Sequence, residues 1–172
     1  MFVENADGSV SLLTYDTTTY ALALFNWKTD ASIDFHFIKT LSKAEKFEFV
    51  GLYTLEEVVT KDNPETKDID ETNKDKVQYL FYIADSTAYK IEIARAVDIN
   101  DGELVLSEYT QPIKLSSTSV NPSDGLLIPE VIGNFMFVYA ADSDKNVYLN
   151  KIDVSITDSS DAKAAVEVLI KE

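Results

Sequence analysis

The sequence has no cysteine and a single histidine, His36, among its 172 residues. Without cysteine the chain cannot form disulfides, thiolate metal centres, iron–sulfur clusters or a cysteine nucleophile. One histidine leaves most imidazole-dependent catalysis without its residues. Only five glycines are present, which disfavours a phosphate-binding loop and a dinucleotide-binding fingerprint. The sequence therefore predicts a protein that is not an enzyme and that holds no cofactor.

Basic residues are also scarce, because 15 Lys and Arg stand against 30 Asp and Glu, a formal net charge of −15. Such a charge repels phosphate backbones and anionic lipid headgroups, so we expect no direct contact with nucleic acid or membrane. Long apolar runs are missing as well: the longest, 79–84 and 135–141, fall far short of the roughly 20 residues of a membrane-spanning helix. The first residues lack the basic and apolar regions of a secretory signal, and no export is expected.

Hydrophobic residues make up 45% of the chain, and most of them alternate with polar ones. Alternation of this kind is typical of half-buried strands, and nine Tyr and nine Phe suit a pleated surface. Helical windows are few and short, the best being 41–47 and 55–60. The sequence predicts one all-β domain over 1–172, built of antiparallel meanders as a sandwich or as propeller-like blades. The predicted strands are 10–15, 20–26, 33–37, 47–53, 77–84, 89–93, 104–109, 126–131, 135–141, 147–154 and 164–170.

One segment, 60–76, breaks this alternation. Its only large apolar residue is Ile69, and acidic residues alternate there with lysines. Because no core-facing side exists, we expect an exposed, mobile, charged loop.

A short motif recurs along the chain. The run Asp16-Thr17-Thr18-Thr19-Tyr20 aligns with Asp85-Ser86-Thr87-Ala88-Tyr89, and a third copy begins at Asp142-Ser143 and reaches Tyr148. Each copy predicts a strand, a turn and a return strand, with the Asp carboxylate accepting hydrogen bonds from N–H groups just beyond it. Propellers typically use about four to eight blades. Three units therefore predict a sandwich, or part of a larger ring completed by other copies or by further sequence.

The first forty residues carry four motifs in a fixed order. They read Asp7-Gly8-Ser9-Val10, Leu13-Thr14-Tyr15-Asp16, Phe25-Asn26-Trp27 and Thr29-Asp30-Ala31, the last leading into 33–38. This order resembles the blade pattern of bacteriophage tail nozzle proteins of the tail tubular protein B type, and 77–97 resembles it more faintly. Ala31 stands where the pattern has Gly, and Trp27 lies closer to the Thr-Asp turn than in the pattern. The resemblance implies a non-enzymatic structural component of a phage tail or portal assembly, located in the virion.

One stretch has the spacing of a calcium-binding loop. Asp142, Asp144 and Asn146 place oxygen ligands at alternate positions, with Asp153 at the twelfth. Val147 stands where such a loop requires Gly, so a polar hairpin is the preferred interpretation. For the same reason the Asp101-Gly102 pair within 98–103 predicts a hairpin turn.

His36 is the other candidate for chemistry. It alternates with Phe35 and Phe37, which predicts that the rings are buried and that His36 lies on the solvent side together with Asp34. No third orienting group or nucleophile accompanies the pair, so we assign it no catalytic role.

Two functions remain open from the sequence. The first is a structural module that binds copies of itself or other proteins in an assembly and is oligomeric. The alternative is a small-ligand or carbohydrate-binding β-sandwich that uses aromatic side chains on an open face, with candidates Trp27, Tyr53, Tyr82 and Tyr109.

Overall fold

The computed structural model describes residues 1–4, 8–58, 74–96, 104–108, 110–120, 126–141, 144 and 146–170. Over these residues the chain forms thirteen strands and one short 3₁₀ helix, Ser159–Asp161. The prediction of an all-β protein is confirmed. The strands are β1 (Phe2–Glu4), β2 (Val10–Tyr15), β3 (Ala21–Trp27), β4 (Ile33–Thr40), β5 (Phe47–Val58), β6 (Lys74–Ala84), β7 (Thr87–Ala96), β8 (Val105–Leu106), β9 (Ile113–Lys114), β10 (Leu126–Ile132), β11 (Phe135–Ala141), β12 (Val147–Asp153) and β13 (Val166–Ile170).

The strands form three antiparallel sheets in which spatial order follows chain order. The first sheet is β1-β2-β3-β4, the middle sheet is β5-β6-β7-β8, and the third sheet is β10-β11-β12-β13. Strand β9 also pairs with β7, so β8 and β9 together cover the outer edge of that strand at its two ends. Each sheet is therefore a meander of the kind that the repeat predicts.

The middle sheet packs against both of its neighbours. On one face, Leu80, Tyr82, Ile91 and Ile93 contact the first sheet; on the other, Val77, Tyr79, Phe81 and Ile83 contact the third. Side chains alternate between the two faces of a strand, so β6 supplies apolar residues to both layers. The result is three stacked sheets with two apolar layers between them. The first-sheet side of its layer includes Leu13, Leu22 and Leu24, and the third-sheet side includes Met136, Val138 and Ile152.

Neither of the two candidate helical windows is helical over its described residues. Strand β5 continues to Val58 and so includes the start of window 55–60, while 41–46 is irregular and Phe47 opens β5. Tyr53 and Leu55 both pack against the layer beneath the third sheet, which shows a period of two instead of a helical period. Strands β1 and β9 were not predicted because they are only three and two residues long.

The predicted charged loop is wrong at its C-terminal end. Strand β6 begins at Lys74, and Asp75 is only 6% exposed. Its carboxylate lies 3.0 Å from the guanidinium of Arg95, so an ionic partner compensates for its burial. The remaining residues of the predicted loop, 60–73, lie outside the described residues.

The repeated motif keeps its place in each sheet but not its conformation. All three copies connect the second strand of a sheet to the third. Asp16 accepts hydrogen bonds from the N–H groups of Thr18 and Thr19 at 2.7 and 2.9 Å, as predicted. Asp85 instead accepts from Glu45 and Lys46, ahead of β5, at 2.8 and 3.0 Å. Asp142 and Ser143 lie outside the described residues.

The Asp85 difference follows from turn length. Ala84 pairs with Thr87, so the turn has only two residues, Asp85 and Ser86, both with positive φ (45° and 63°). Thr87 closes the hairpin by pairing with Ala84, and the N–H of Ala88 donates to the hydroxyl of Ser116, so these N–H groups are not used by the Asp85 carboxylate. The prediction that each Asp caps its own turn is therefore wrong for Asp85.

Ala31 stands where the blade pattern has Gly, and it adopts the left-handed backbone conformation that favours Gly, with a φ of +66°. An L-residue in this left-handed region is strained by roughly 1–2 kcal/mol. We expect Ala31→Gly to raise the free energy of unfolding by about 1 kcal/mol, measured by urea denaturation.

The matched control is Gly8→Ala. Gly8 has a φ of +80°, and an added Cβ would meet only Thr29 Cγ2, at 3.9 Å. Its expected loss of about 1 kcal/mol therefore reports backbone strain without a steric clash. A destabilising Ala31→Gly would contradict this account.

The two Asp turns predict unequal mutational costs. Asp85→Ala removes acceptors from two N–H groups of a separate segment and should cost about 2 kcal/mol, whereas Asp16→Ala acts within one exposed turn and should cost less. Asp85→Asn keeps an acceptor oxygen and is the control. Equal losses in thermal or urea unfolding would show that Asp85 does not join the segments.

Candidate functional site

The structure does not assemble the calcium-like loop. Asp144 and Asn146 lie in the connection between β11 and β12, whereas Asp153 ends β12. At about 3.4 Å per residue, the strand separates Asp153 from Asn146 by roughly 24 Å. Asp153 also accepts hydrogen bonds from the N–H and hydroxyl of Ser155, at 2.9 and 2.6 Å. Asp142 lies outside the described residues.

The prediction for His36 had its two faces reversed. Phe35 and Phe37 are 61% and 52% exposed, whereas His36 is half-buried on the face directed to the middle sheet. Alternation correctly places Asp34 on the same face as His36. Asp34, however, forms an ion pair with Lys28 at 2.6 Å.

The four aromatic candidates do not form one ligand groove. Tyr82 is buried between the first and middle sheets and stacks on Phe47, with ring centroids 5.1 Å apart. Tyr53 packs edge-on against Phe81 on the opposite face of the middle sheet. Trp27 lies at the end of β3, and Tyr109 lies outside the described residues.

A polar network that the sequence analysis did not find crosses the middle sheet. Arg95 forms ion pairs with Glu57 at 3.2 Å, Asp75 at 3.0 Å and Glu92 at 2.7 Å. The hydroxyl of Tyr79 donates to Glu57, and that of Ser107 donates to Glu92, both at 2.5 Å. The network therefore joins β5, β6, β7 and the residue that follows β8. Its members are distant in sequence, and pairing across strands brings them together.

Lys90 lies next to this network and is fully buried. Its ammonium donates to the carbonyl of Val154 at 2.9 Å and lies 4.2 Å from the centroid of the Tyr79 ring. Burial lowers the pKa of Lys90, while the charges of Glu57, Asp153 and Glu92 favour the ammonium. A buried cation with a carbonyl, a ring and nearby carboxylates is compensated as a structural group.

The network's carboxylates are compensated in the same way, by ion pairs and hydrogen bonds. Burial by itself raises the pKa of Glu92, but hydrogen bonds from Arg95 and Ser107 outweigh it and bring the pKa below its ordinary value of 4.5. Within the described part of the chain, no group of three or more His, Asp or Glu side chains is placed to hold a metal ion. Nor does that part contain a helix long and apolar enough to cross a membrane.

A cleft of about 860 Å³ opens between the first and middle sheets. Hydroxyl and amide groups line much of it, including Ser11, Asn26, Thr54 and Gln78. Ser11 donates to Asn26 at 2.7 Å within the cleft. Of the aromatic candidates that the structure describes, Trp27, Tyr53 and Tyr82, none lines it.

The outer face of the first sheet is apolar and open. Side chains on this face alternate with Leu13 and Leu24, which face the middle sheet. Phe25 and Phe35 pair across β3 and β4 with ring centroids 5.0 Å apart. The exposed members of this face include Phe2, Trp27, Ile33, Phe35 and Phe37.

The outer face of the third sheet is also apolar and open. Its side chains alternate with Met136 and Val138, which face the middle sheet. The ammonium of Lys151 lies 3.8 Å from the centroid of the Phe135 ring. Exposed members of this face include Ile132, Tyr139, Val166, Val168 and Ile170. Among the described residues, no element packs on the apolar face at either end of the stack of sheets.

Comparisons of the chain with protein-family models, with curated proteins and with solved structures gave no match. The candidate functional surfaces therefore rest on the geometry described above.

The network at Arg95 predicts a pH-dependent contribution to stability. Because the pKa of Glu92 is lowered in the folded state, its contribution is present above about pH 4.5 and is lost as the pH falls through the folded-state value. Glu92→Gln should cost about 2 kcal/mol at pH 7, and this difference from wild type should shrink in acid.

Glu48→Gln is the control of opposite sign. Burial raises the pKa of Glu48, so its charged form is unfavourable at pH 7 and the substitution should stabilise the fold there. Urea unfolding at pH 7, 5 and 3.5 compares the variants. A Glu92→Gln cost independent of pH would contradict the role of its charge.

Proposed function

We propose that this chain is a non-enzymatic structural module of a larger protein assembly. In the finer form implied by the resemblance, it is a component of a phage tail or portal assembly in the virion. The observation that carries the proposal is the pair of uncovered apolar faces at the two ends of the stacked sheets. Each face is the surface of a four-stranded sheet rather than a local patch.

The size of these faces supports binding to another protein surface. Four strands spaced by about 4.8 Å, each with about six residues at 3.4 Å, present roughly 400 Å² per face. The largest apolar patch of a typical monomer is itself about 300–600 Å² and is often functional, and this chain has two faces of that size. Two of them on one chain favour an assembled state that covers both.

The charge distribution agrees with this function. A net charge of −15 keeps the rest of the surface from non-specific association and reduces adhesion to DNA. In a virion component this would favour specific contacts with other proteins over contacts with the genome.

The cleft between the first and middle sheets favours a second candidate function, the binding of a small polar ligand such as a sugar. Its hydroxyl and amide groups offer hydrogen bonds, but no aromatic side chain is among its described lining residues. Under this alternative, Gln78→Ala would abolish any rise in melting temperature that a sugar produces in the wild type.

Sedimentation of the purified full chain tests the assembly function. We expect a concentration-dependent complex, formed either by the chain alone or with the protein products of neighbouring genes. For a dissociation constant of about 10 μM, mass action makes the complex grow between about 1 and 100 μM, and a tighter complex is already formed at the lowest of these concentrations. A chain that stays monomeric throughout and binds none of those products would overturn the proposal.

A further inference from the structure

We infer that each uncovered face binds a second copy of this chain, head to tail: the outer face of the third sheet of one copy packs on the outer face of the first sheet of the next. This inference rests on the proposed function and specifies its partner. It follows from the direction of the stack, from the chemistry of the two faces and from the way the chain already packs its own sheets.

The direction of the stack can be derived from the second strand of each sheet. In the first sheet, Leu13 faces the middle sheet, and its N–H donates to the carbonyl of Met1, on the side of the first strand. In the middle sheet, Ile83 faces the third sheet. The N–H of Asp85, two residues further on, donates to Lys46 next to β5, so the N–H of Ile83 also points to the first strand of its sheet.

The third sheet follows the same rule. The carbonyl of Asn134 accepts from the N–H of Val154, so Asn134 and Met136 direct their backbone groups to β12. Phe135 and Phe137 therefore direct theirs to β10, the first strand, and their side chains lie on the outer face. We define the direction of the stack as running from the first sheet to the third. In the second strand of every sheet, the side chains that point in this direction belong to residues whose backbone groups point to the first strand of the same sheet.

All residues have the same chirality. For a strand that runs in a given direction, the neighbouring strand to which a residue's N–H and C=O groups point therefore fixes the face of the sheet on which its side chain stands. The three sheets consequently have the same orientation in the stack. The outer face of the third sheet therefore corresponds to two faces inside the chain: the face of the first sheet on which the middle sheet packs, and the face of the middle sheet on which the third sheet packs. The outer face of the first sheet corresponds to the face of the middle sheet that the first sheet covers, and to the face of the third sheet that the middle sheet covers. A second copy seated head to tail continues this pattern, whereas pairing of like faces breaks it.

The chemistry of the faces permits this contact. Among the strand positions of the outer face of the first sheet, Glu4 carries the only charge. The outer face of the third sheet carries Glu130, Lys151 and Asp153. Charged residues make up 26% of the chain, so the outer face of the first sheet is depleted of charge. Lys151 offers an opposite charge to Glu4 of the next copy, whereas Glu130 and Asp153 repel it, so the contact has to seat Glu4 beside Lys151.

A head-to-tail contact uses two different surfaces and builds a closed ring or an open filament. A ring of two copies contains six sheets, within the range of about four to eight found in propellers. Each copy carries a net charge of −15, so added salt should strengthen the contact by screening the repulsion.

Two variants that each block one face test the inference on the full chain. Phe35→Lys places a charge on the first-sheet face, and Val168→Lys places one on the third-sheet face; both side chains are more than half exposed, so folding should be unaffected. Ser42→Lys, exposed and outside both faces, is the control for added charge. Circular dichroism and urea unfolding check that all three fold.

In sedimentation velocity we expect the wild type and Ser42→Lys to associate, and each blocked variant alone to dissociate about tenfold more readily or worse. An equimolar mixture of the two blocked variants should form a 1:1 dimer, because each supplies the face that the other lacks. Higher NaCl should favour both associations.

Other outcomes overturn the inference. If one blocked variant associates as the wild type does, like faces pair with each other. If the wild type is monomeric yet binds the product of a neighbouring gene, the proposed function stands and the second copy is excluded as the occupant. If it is monomeric and binds nothing, both the inference and the proposed function fail.

Discussion

The middle sheet must be covered on both of its faces, and the rest of the architecture depends on this requirement. In β6 every residue from Tyr79 to Ile83 is buried, and alternate side chains enter different apolar layers. A strand buried on both faces has no side that water can solvate. The first and third sheets are therefore needed for the middle sheet to be stable, and they fix the order of the three layers.

The charged residues of the middle sheet follow from the same burial. Arg95 and Lys90 point to the layer shared with the third sheet, where an unpaired charge would be costly. Three carboxylates, a tyrosine ring and a backbone carbonyl surround the two cations. The polar network thus lets one sheet carry charge within a core, and it also joins three strands whose residues are far apart in sequence.

The requirement is met for the middle sheet only, and the two outer sheets each keep one apolar face open. The same residue types cover buried and exposed faces: Leu13 and Leu24 are inside, whereas Phe35 and Ile33 are outside. This explains the reversed prediction at His36. Alternation established that Phe35 and Phe37 share a face, but solvent exposure depends on which sheet lies next to that face, and no local pattern contains that information.

By itself, the sequence determined the local structure: an all-β chain, most strand positions, the place of the Asp-containing turns and the lack of thiol chemistry. These depend on side-chain period, turn residues and composition, which act over a few neighbouring residues. Tertiary structure decided which face of each sheet is buried, why Asp75 lies in a strand, and that Asp85 binds the segment ahead of β5 rather than its own turn. Those outcomes depend on contacts between residues tens of positions apart, so the sequence pattern around any one of them could not specify them.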